Sequence, residues 1–434
     1  MSRSRGGRPD AARAGPPSGP IRIESLAPTG EGVARTLDGV GFVERALPGE
    51  LVETNVYQVK SSFWRGTVRA VLEPSPSRIA GDHAACAGCD WAHFDPGAAR
   101  EAKRELFRDT LRRIGRIEPD TVPLGDVVPS LPGYRLRSRF HASGGELGYF
   151  EPHSHRVAPA DRCEALSTQT RALLPRLRDA IAASDVDVAE VAVLEAPDPA
   201  RRLLHVVAAP STTRGDAEAL AASLEPLAQG LRIRQGSGGA IAERGLRRLG
   251  IDVGGRRLQA SAGTFFQGNR HLLGPLHRAV AEAVAGAPPG DALDAFGGVG
   301  LFAGALLDAG RRTTSVEGDA EAVACARAAK REWTDGALWT IREESMSEFV
   351  ETDARRFACV VADPPRAGLG AGLARELADC CAGRLVYVSC DPATLARDLA
   401  EILPRGFAIQ SAALFDLFAF THRIEAVVTL DRAA

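Results

Sequence analysis

The sequence predicts a multidomain α/β protein: a small N-terminal β-barrel of OB-like type, a central α+β domain, and a C-terminal α/β domain with a Rossmann-like parallel sheet. Three observations predict this. At 434 residues the chain exceeds what one hydrophobic core organises, so two or three domains are expected. Up to about residue 75, apolar and polar residues alternate in short runs separated by glycine and Pro-Gly turns. From about Gln267 the runs lengthen into a regular exchange of helix and apolar strand, the pattern of a parallel sheet.

Taken in order, residues 1–18 are rich in Arg, Gly and Pro, have no apolar core and read as a disordered tail. Residues 19–75 supply the barrel through "IRIESLA", "GVGFVERAL", "ELVETNVYQVK" and "FWRGTVRAVLE". Residues 76–262 form the central domain, entered through the linker-like "PSPSRIAGD". An amphipathic basic helix is expected over 97–116, "GAAREAKRELFRDTLRRIGR", with its apolar face available to the C-terminal domain. "RLRSRFHA", "RLLHVVAA" and "RLQASAG" follow as strands. Residues 263–434 make the last domain, with a helix over 270–286 and strands over 291–296, 312–317, 357–362 and 384–389.

Composition narrows the classes. With 45% apolar and 25% charged residues and no long apolar run, a membrane span is not expected, and no secretory signal is visible; the cytoplasm is the expected location. A net charge of −2 does not advertise nucleic-acid binding, but phosphate contacts need only a local basic surface. The eight cysteines are therefore expected to be free, metal-bound or catalytic rather than disulfide-paired. No sequence feature points to a protein partner.

In "DALDAFGGVGLFAGALLDAG" a strand runs into a glycine turn and then a helix. Gly298 and Gly300 would let the backbone approach a ligand where a side chain would block it. Further on, the strand "RTTSVEGD" ends in Glu317, an acid placed to accept hydrogen bonds from both ribose hydroxyls. Gly298-x-Gly300-x-x-Ala303 also satisfies the dinucleotide fingerprint, so a nicotinamide enzyme competes at this point. "FACVVADPPRAGLG" discriminates. Asp363-Pro364-Pro365-Arg366 at a strand end is a feature of S-adenosylmethionine enzymes that modify nucleic acid bases, and a dehydrogenase has no use for the rigid diproline.

Which base chemistry follows from what is present. No aromatic follows the prolines, as an amino-group methyltransferase would have, and no cysteine stands beside them, as in a cytosine-C5 enzyme. The nucleophile candidate is Cys390 in "LVYVSCDPATLARDLAEIL", ahead of Asp391 as N-cap and Pro392 at the first helical position. That setting is expected to lower its thiol pKa, with Asp391 opposing in part. Methylating the weakly nucleophilic C5 of uracil needs such a thiol, and a base to remove the C5 proton. Glu425 in "DLFAFTHRIEAVV" is the carboxylate candidate, on a final strand able to lie beside that of Cys390. Cys325, Cys359, Cys380 and Cys381 read as core, and His422 as a supporting residue.

These residues resemble the RNA uracil-C5-methyltransferase family over nearly the whole chain after the tail, with "YVSCDPATLARD" and "DPPRAG" as the specific motifs. "GEGVARTLDGVGFVERALPGELV" is similar to the TRAM domain, an RNA-binding β-barrel, and the pairing resembles the 23S ribosomal-RNA members more than the tRNA enzyme. The resemblance implies a class I methyltransferase domain, S-adenosyl-L-methionine as methyl donor and RNA as partner. It implies Cys390 as nucleophile, Glu425 as C5-proton base, and Gln267, Phe296, Glu317 and Asp363 as contacts of the methyl donor. Glu344 falls roughly where a further contact is expected. Asp391 and Leu301 stand where the family often has Asn, and Ala419 and Arg423 replace the proline and histidine of the terminal motif.

Ribosomal-RNA members also carry an iron–sulfur cluster on C-x5-C-x2-C plus a distant cysteine. Here Cys86, Cys89 and Cys163 match, the first cysteine is absent, and His83 stands near its place. The set suits a [4Fe–4S] cluster, with zinc or no metal as alternatives. Arg135, Arg137 and Arg139, two apart in "YRLRSRFHA", would share one strand face and suit RNA phosphates; a solvated edge strand is the plain alternative. A tRNA uracil enzyme and a catalytically inactive RNA-binding protein on the same fold remain the competing functions.

Overall fold

The structure, a computed structural model, describes residues 17–37, 39–81, 88–197 and 201–433. The chain divides into two compact units, Met1–His83 with Cys89–Ala102 and Phe420–His422, and Ala84–Gly88 with Lys103–Ala419 and Arg423–Ala434.

In the first unit, six strands form one sheet in the order β1-β5-β6-β4-β3-β2. They are β1 (Ile21–Arg22), β2 (Ser25–Leu26), β3 (Gly32–Thr36), β4 (Gly39–Glu44), β5 (Leu51–Val59) and β6 (Phe63–Glu73). β1 pairs with β5 and β2 with β3, so the continuous segment 21–26 joins both edges and closes the sheet into a barrel. Ile23, Val43, Val52 and Trp64 fill it. The fully buried Glu50 accepts from Arg78 and from the Leu47 and Ser75 amides. Burial raises its pKa, but these donors prevail and hold the carboxyl below its ordinary value. His422 Nδ1 and Asp90 are hydrogen-bonded within this unit, which gives the histidine a supporting role.

The second unit carries a seven-stranded sheet, a hairpin and an eight-stranded sheet. A strand of the eight-stranded sheet, β7 (Leu124–Val128), comes first along the chain. The seven-stranded sheet is built from β8 (Arg137–Ser143), β9 (Glu146–Phe150), β10 (Val157–Pro159), β11 (Val188–Glu195), β12 (Arg202–Ala208), β13 (Gly230–Gln235) and β14 (Ala240–Gly245). The hairpin is β15 (Leu249–Val253) and β16 (Arg256–Ala260). The remaining strands are β17 (Ala292–Ala295), β18 (Thr313–Glu317), β19 (Trp339–Glu343), β20 (Phe357–Ala362), β21 (Cys381–Ser389), β22 (Phe407–Phe415) and β23 (Glu425–Arg432). The helices of the chain are α1 (Pro96–Thr110), α2 (Thr168–Ala182), α3 (Arg214–Leu224), α4 (Leu273–Ala285), α5 (Leu301–Asp308), α6 (Ala320–Glu332), α7 (Met346–Thr352), α8 (Gly370–Cys380) and α9 (Pro392–Ile402). None of the described helices is long and apolar enough to cross a membrane.

The eight-stranded sheet has the order β19-β18-β17-β20-β21-β23-β22-β7. Its first five strands are parallel, and β23 runs antiparallel to β21. Both faces are covered, which is why "FACVV" and "LVYVS" read as continuous apolar runs. Val361, Val386 and Val388 pack with Leu276 of α4 and Phe302 of α5 on one face. Val360, Leu385 and Tyr387 pack with Leu377 of α8, Leu399 of α9 and Phe107 of α1 on the other. Each such buried aliphatic contributes about 1.5–3 kcal/mol. The expected helix over 97–116 ends as α1 at Thr110, followed by a wider turn over Leu111–Gly115 that packs on α9. The sequence reading missed β19, β22 and the place of β7, which pairs parallel with β22 although it belongs to the stretch expected to form the central domain. No local pattern marks a strand whose partner lies so far along the chain.

Candidate active site

The order β18-β17-β20 places a topological switch at β17, and ligands of open α/β sheets bind beyond the carboxyl ends of the strands there. A cavity of about 630 Å³ lies at that edge. Its wall includes Phe296, Gly298, Glu317, Asp363, Arg366, Cys390, Gln267 and Glu425. All but Gln267 and Arg366 come from a strand end. Phe296 and Gly298 follow β17, Glu317 ends β18, Asp363 follows β20, and Cys390 follows β21. Glu425 opens β23, which is antiparallel and so begins at the same edge. Ser389 is paired with Ala426, so the next positions in register are Cys390 and Glu425. Nucleophile and base candidates, remote in sequence, are side by side.

The glycine turn is tight. Phe296, Gly298 and Gly300 have φ of 62°, 53° and 97°. The two glycines differ in surroundings. A Cβ on Gly298 would meet open space, so its left-handed backbone is what demands glycine. Gly300 shares the left-handed backbone, and a Cβ on it would in addition fall 2.3 Å from the Trp339 ring. Glu317 Oε2 accepts from the Gly298 amide at 2.9 Å, and Oε1 from Asp319 at 2.7 Å. Glu344 is not on the wall; its amide donates to Glu317 O at 3.2 Å, and its carboxylate pairs with Arg342 at 2.7 Å.

Gln267 Nε2 donates to Asp363 Oδ2 at 3.0 Å. Burial pushes the Asp363 carboxyl up to about 7, against the Gln267 hydrogen bond and with the Asp294 charge. Two residues beyond Gln267 lies Asn269, a buried residue the sequence reading passed over. The Asn269 amide donates to Ser130 Oγ and Leu417 O, both at 2.8 Å, and its Oδ1 accepts from the His271 and Leu272 amides at the start of α4. Tyr134 OH donates to Ala419 O at 3.1 Å, tying the following segment to the same frame.

The loop after Pro365 is fixed by the fully buried Asp398 of α9. Asp398 accepts from the Leu369 and Gly370 amides at 2.7 and 3.2 Å and from Tyr387 OH at 2.7 Å. Arg366, on that loop, is the cation beside both Cys390 and Glu425. Asp391 caps α9 by accepting from the Ala393 and Thr394 amides, both at 3.0 Å, so its charge is spent on the helix start.

The Cys390 thiol departs from expectation. It is pushed up to about 11, by burial first and then by the Glu425 charge; Arg366 lowers it, both by charge and as hydrogen-bond donor, and Asp363 raises it. Desolvation and two carboxylates outweigh a helix start whose amides are already taken by Asp391. Glu425 is 1% exposed, its Oε1 has no hydrogen-bond partner, and burial with the Asp363 charge drives its pKa well above the ordinary carboxylate value. Two acids and a thiol with raised pKa values thus face an apolar cavity, with one arginine among them. The cavity suits a cationic ligand beside Asp363 and a neutral planar one beside Cys390.

A family profile described as tRNA (Uracil-5-)-methyltransferase matches residues 262–433. A 23S rRNA (uracil(1939)-C(5))-methyltransferase RlmD of Halomonas elongata is 31% identical over 94% of this chain and 88% of its own. The chain belongs to the RNA uracil-C5-methyltransferase family. It is an RNA (uracil-C5-)-methyltransferase by that membership, and the expected resemblance holds. An uncharacterized RNA methyltransferase of Streptomyces avermitilis is 30% identical over 95% of this chain and 98% of its own. The fold matches that of the tRNA (uracil-54, C5)-methyltransferase of Pyrococcus abyssi in complex with S-adenosyl-L-homocysteine, with a TM-score of 0.77 over 95% of this chain and 99% of that one at 23% identity. The C-terminal sheet is therefore the class I methyltransferase fold. S-adenosyl-L-methionine fits the observations: an open left-handed turn at Gly298, an acid at the second strand end, and the Asp363 carboxylate on the same wall.

The metal-ligand candidates fare differently. His83 and Cys86 lie outside the described residues. Cys89 and Cys163 are buried, and among the described residues no group of three or more His, Cys, Asp and Glu could hold a metal ion. Arg135, Arg137 and Arg139 do alternate with the buried Leu136, Ser138 and Phe140. Arg135 lies over the Tyr134 and Tyr149 rings at 5.8 and 5.7 Å, while Arg137 and Arg139 face a separate cavity.

Proposed function

We propose that this enzyme methylates C5 of a uridine in 23S ribosomal RNA, in the cytoplasm, through a covalent Cys390 adduct, with Glu425 removing the C5 proton. The single observation that supports the mechanism best is the register that puts Glu425 beside Cys390 at the cavity wall. The ribosomal target rests on the RlmD relatives, and the barrel of residues 19–75 is read as a TRAM-like RNA-binding domain.

S-adenosyl-L-methionine, when bound, supplies an electrophilic methyl group on a cationic sulfur. Asp363, held by Gln267, and Glu317 are the residues that would hold it, with Phe296 and the Gly298 turn along its length. The target uridine must leave its stack to reach Cys390. The Cys390 thiolate adds to C6, and the C5–C6 π electrons move onto C5 and the C4 oxygen as an enolate. C5 then accepts the methyl group, whose bond to sulfur breaks with the electron pair staying on sulfur. The Glu425 carboxylate takes the C5 proton, and the electrons of that bond restore C5–C6 as the Cys390–C6 bond breaks. Burial gives Glu425 the basicity this asks of it. Arg366 offsets the negative charge that accumulates beside Cys390.

No step passes through a metal. The donors His83, Cys86, Cys89 and Cys163 are tested by iron and sulfide content after anaerobic purification, and iron-free protein rejects a [4Fe–4S] cluster. Incubating labelled methyl donor with 23S rRNA and tRNA that lack the modification tests the function. Transfer to the ribosomal RNA is expected. Transfer to tRNA alone overturns the target, and RNA binding without transfer identifies an inactive RNA-binding protein.

A further inference from the structure

A second cavity, of about 260 Å³, lies on the seven-stranded sheet of the second unit. Strand register builds it. Arg139 of β8 pairs with Ala192 of β11, Ala192 with His205 of β12, and His205 with Arg232 of β13, so one row crosses four strands. Two residues along, on the same face, stand Arg137, Glu190 and Arg234. The opposite face carries Val191, Val193, Val206 and Ile233, all buried. Ser261 to Gly263 and Glu321 of α6 close in above it, and Ser261 Oγ donates to Glu321 at 2.6 Å.

Four arginines line this cavity against two glutamates. Three of the four are engaged. Arg139 pairs with Glu190 at 3.2 Å, Arg232 with Glu243 and Glu321 at 3.2 and 3.3 Å, and Arg234 Nε donates to His205 Nε2 at 3.1 Å. Arg137 is not. Among the described residues it makes no ion pair, and its buried Nε has no hydrogen-bond partner. Burial, with the neighbouring Arg139, depresses its pKa to about 10, and burial depresses His205 to about 4, so the histidine is neutral and accepts from Arg234. The charges of Glu190 and Glu321 offset only part of what burial costs this guanidinium, neither pairs with it directly, and a planar fork of donors suits an oxyanion. The same backbone reaches the active cavity directly: Gly263 lines this one, and Phe265, Phe266 and Gln267 line the other.

We propose that this cavity holds a backbone phosphate of the RNA close to the target uridine, with Arg137 as its principal partner and Arg139, Arg232 and Arg234 around it. The proposal rests on RNA being the substrate, as argued above. It assigns the central sheet the task of setting which nucleotide stands at Cys390.

The test compares wild type with Arg137→Met, which keeps the buried stem and loses the charge, and with the more exposed Arg139→Gln. Binding of a 23S rRNA fragment is measured by fluorescence anisotropy without methyl donor, across a salt series. Arg137→Met is expected to weaken binding about tenfold and to reduce the slope of log K against log salt by about 0.7, the loss of one single-strand phosphate contact. In turnover it should raise the KM for RNA while leaving kcat and S-adenosylmethionine affinity within about twofold. Inorganic phosphate should raise the melting temperature of wild type and not of Arg137→Met. Wild-type RNA affinity and salt slope in Arg137→Met overturn the proposal, and if phosphate alone still discriminates the two proteins, the pocket takes a free anion instead. If Arg137→Met fails to fold, unchanged affinity and slope in Arg139→Gln overturn it equally. A wild-type protein that binds RNA but transfers no methyl group defeats the methyltransferase reading and leaves this one standing.

Discussion

The two cavities of the second unit are built by opposite means. The one at the C-terminal sheet gathers a thiol and four carboxylates around apolar walls, with Arg366 as its cation. The one on the seven-stranded sheet gathers four arginines and a neutral histidine. The first holds groups whose protonation the fold has shifted. The second holds groups whose charge is fixed across the physiological range. Chemistry needs the former, and grip on a polyanion needs the latter.

The largest effect that would sharpen this division is at Cys390. Cys390→Ala should lower methyl transfer by more than about three orders of magnitude, leaving RNA and methyl-donor affinity intact. Activity retained in that variant breaks the chemical assignment of the first cavity. Glu425→Gln should slow turnover by about 10²–10⁴-fold and let a covalent RNA–protein species accumulate, visible as a denaturant-resistant band; slow turnover with no such band would move the base elsewhere.

Asp398→Ala should destabilise the protein by about 3–5 kcal/mol, because it strands the half-buried Leu369 and Gly370 amides and the buried Tyr387 hydroxyl, and thermal melting reads it. pH separates the cavities without mutation. With the Cys390 thiol pushed up to about 11, the thiolate fraction rises about tenfold per pH unit below that value, so single-turnover methyl transfer should climb from pH 6 to 9. Glu425 must also be ionised to act as base, and its raised pKa reinforces the same direction. RNA affinity should stay flat over that range, since Arg137 is held at about 10 and His205 at about 4. A parallel rise in affinity would mean that the two cavities are not independent.

The same contrast explains what could be read from the chain alone. The first cavity is made of strand ends, and strand ends carry local signatures: Asp363-Pro364-Pro365, Ser389-Cys390-Asp391, the glycine turn with Glu317 after it. Each was visible as a motif. The direction of the Cys390 shift was not, because it depends on which carboxylates the fold brings near and on Asp391 occupying the helix amides. Gly300 was legible as necessary, but its close packing on Trp339 was not, since Trp339 is a residue of a strand the sequence did not announce. The second cavity depends on register across β8, β11, β12 and β13. Arg137 and Arg139 could be seen to share a face, but nothing in "RLLHVVAA" or "RIRQGSGG" says that His205 and Arg232 complete their row. The likeness of Asn269 to an ordinary loop residue hid its hold on Ser130 and Leu417 in the same way.

The pairing of β7 with β22 has a temporal meaning. During synthesis, Leu124–Val128 emerges early and stays without its partner until the chain beyond Phe407 has been made. The segment that follows β7 supplies Ser130 and Tyr134, which brace Asn269 and Ala419 beside the active cavity. A ribosome pausing between the two strands would therefore hold a nascent chain with an open strand edge and an unbraced catalytic wall. Cys390 is thereby kept out of a fully braced cavity until the chain beyond Phe407 has been translated.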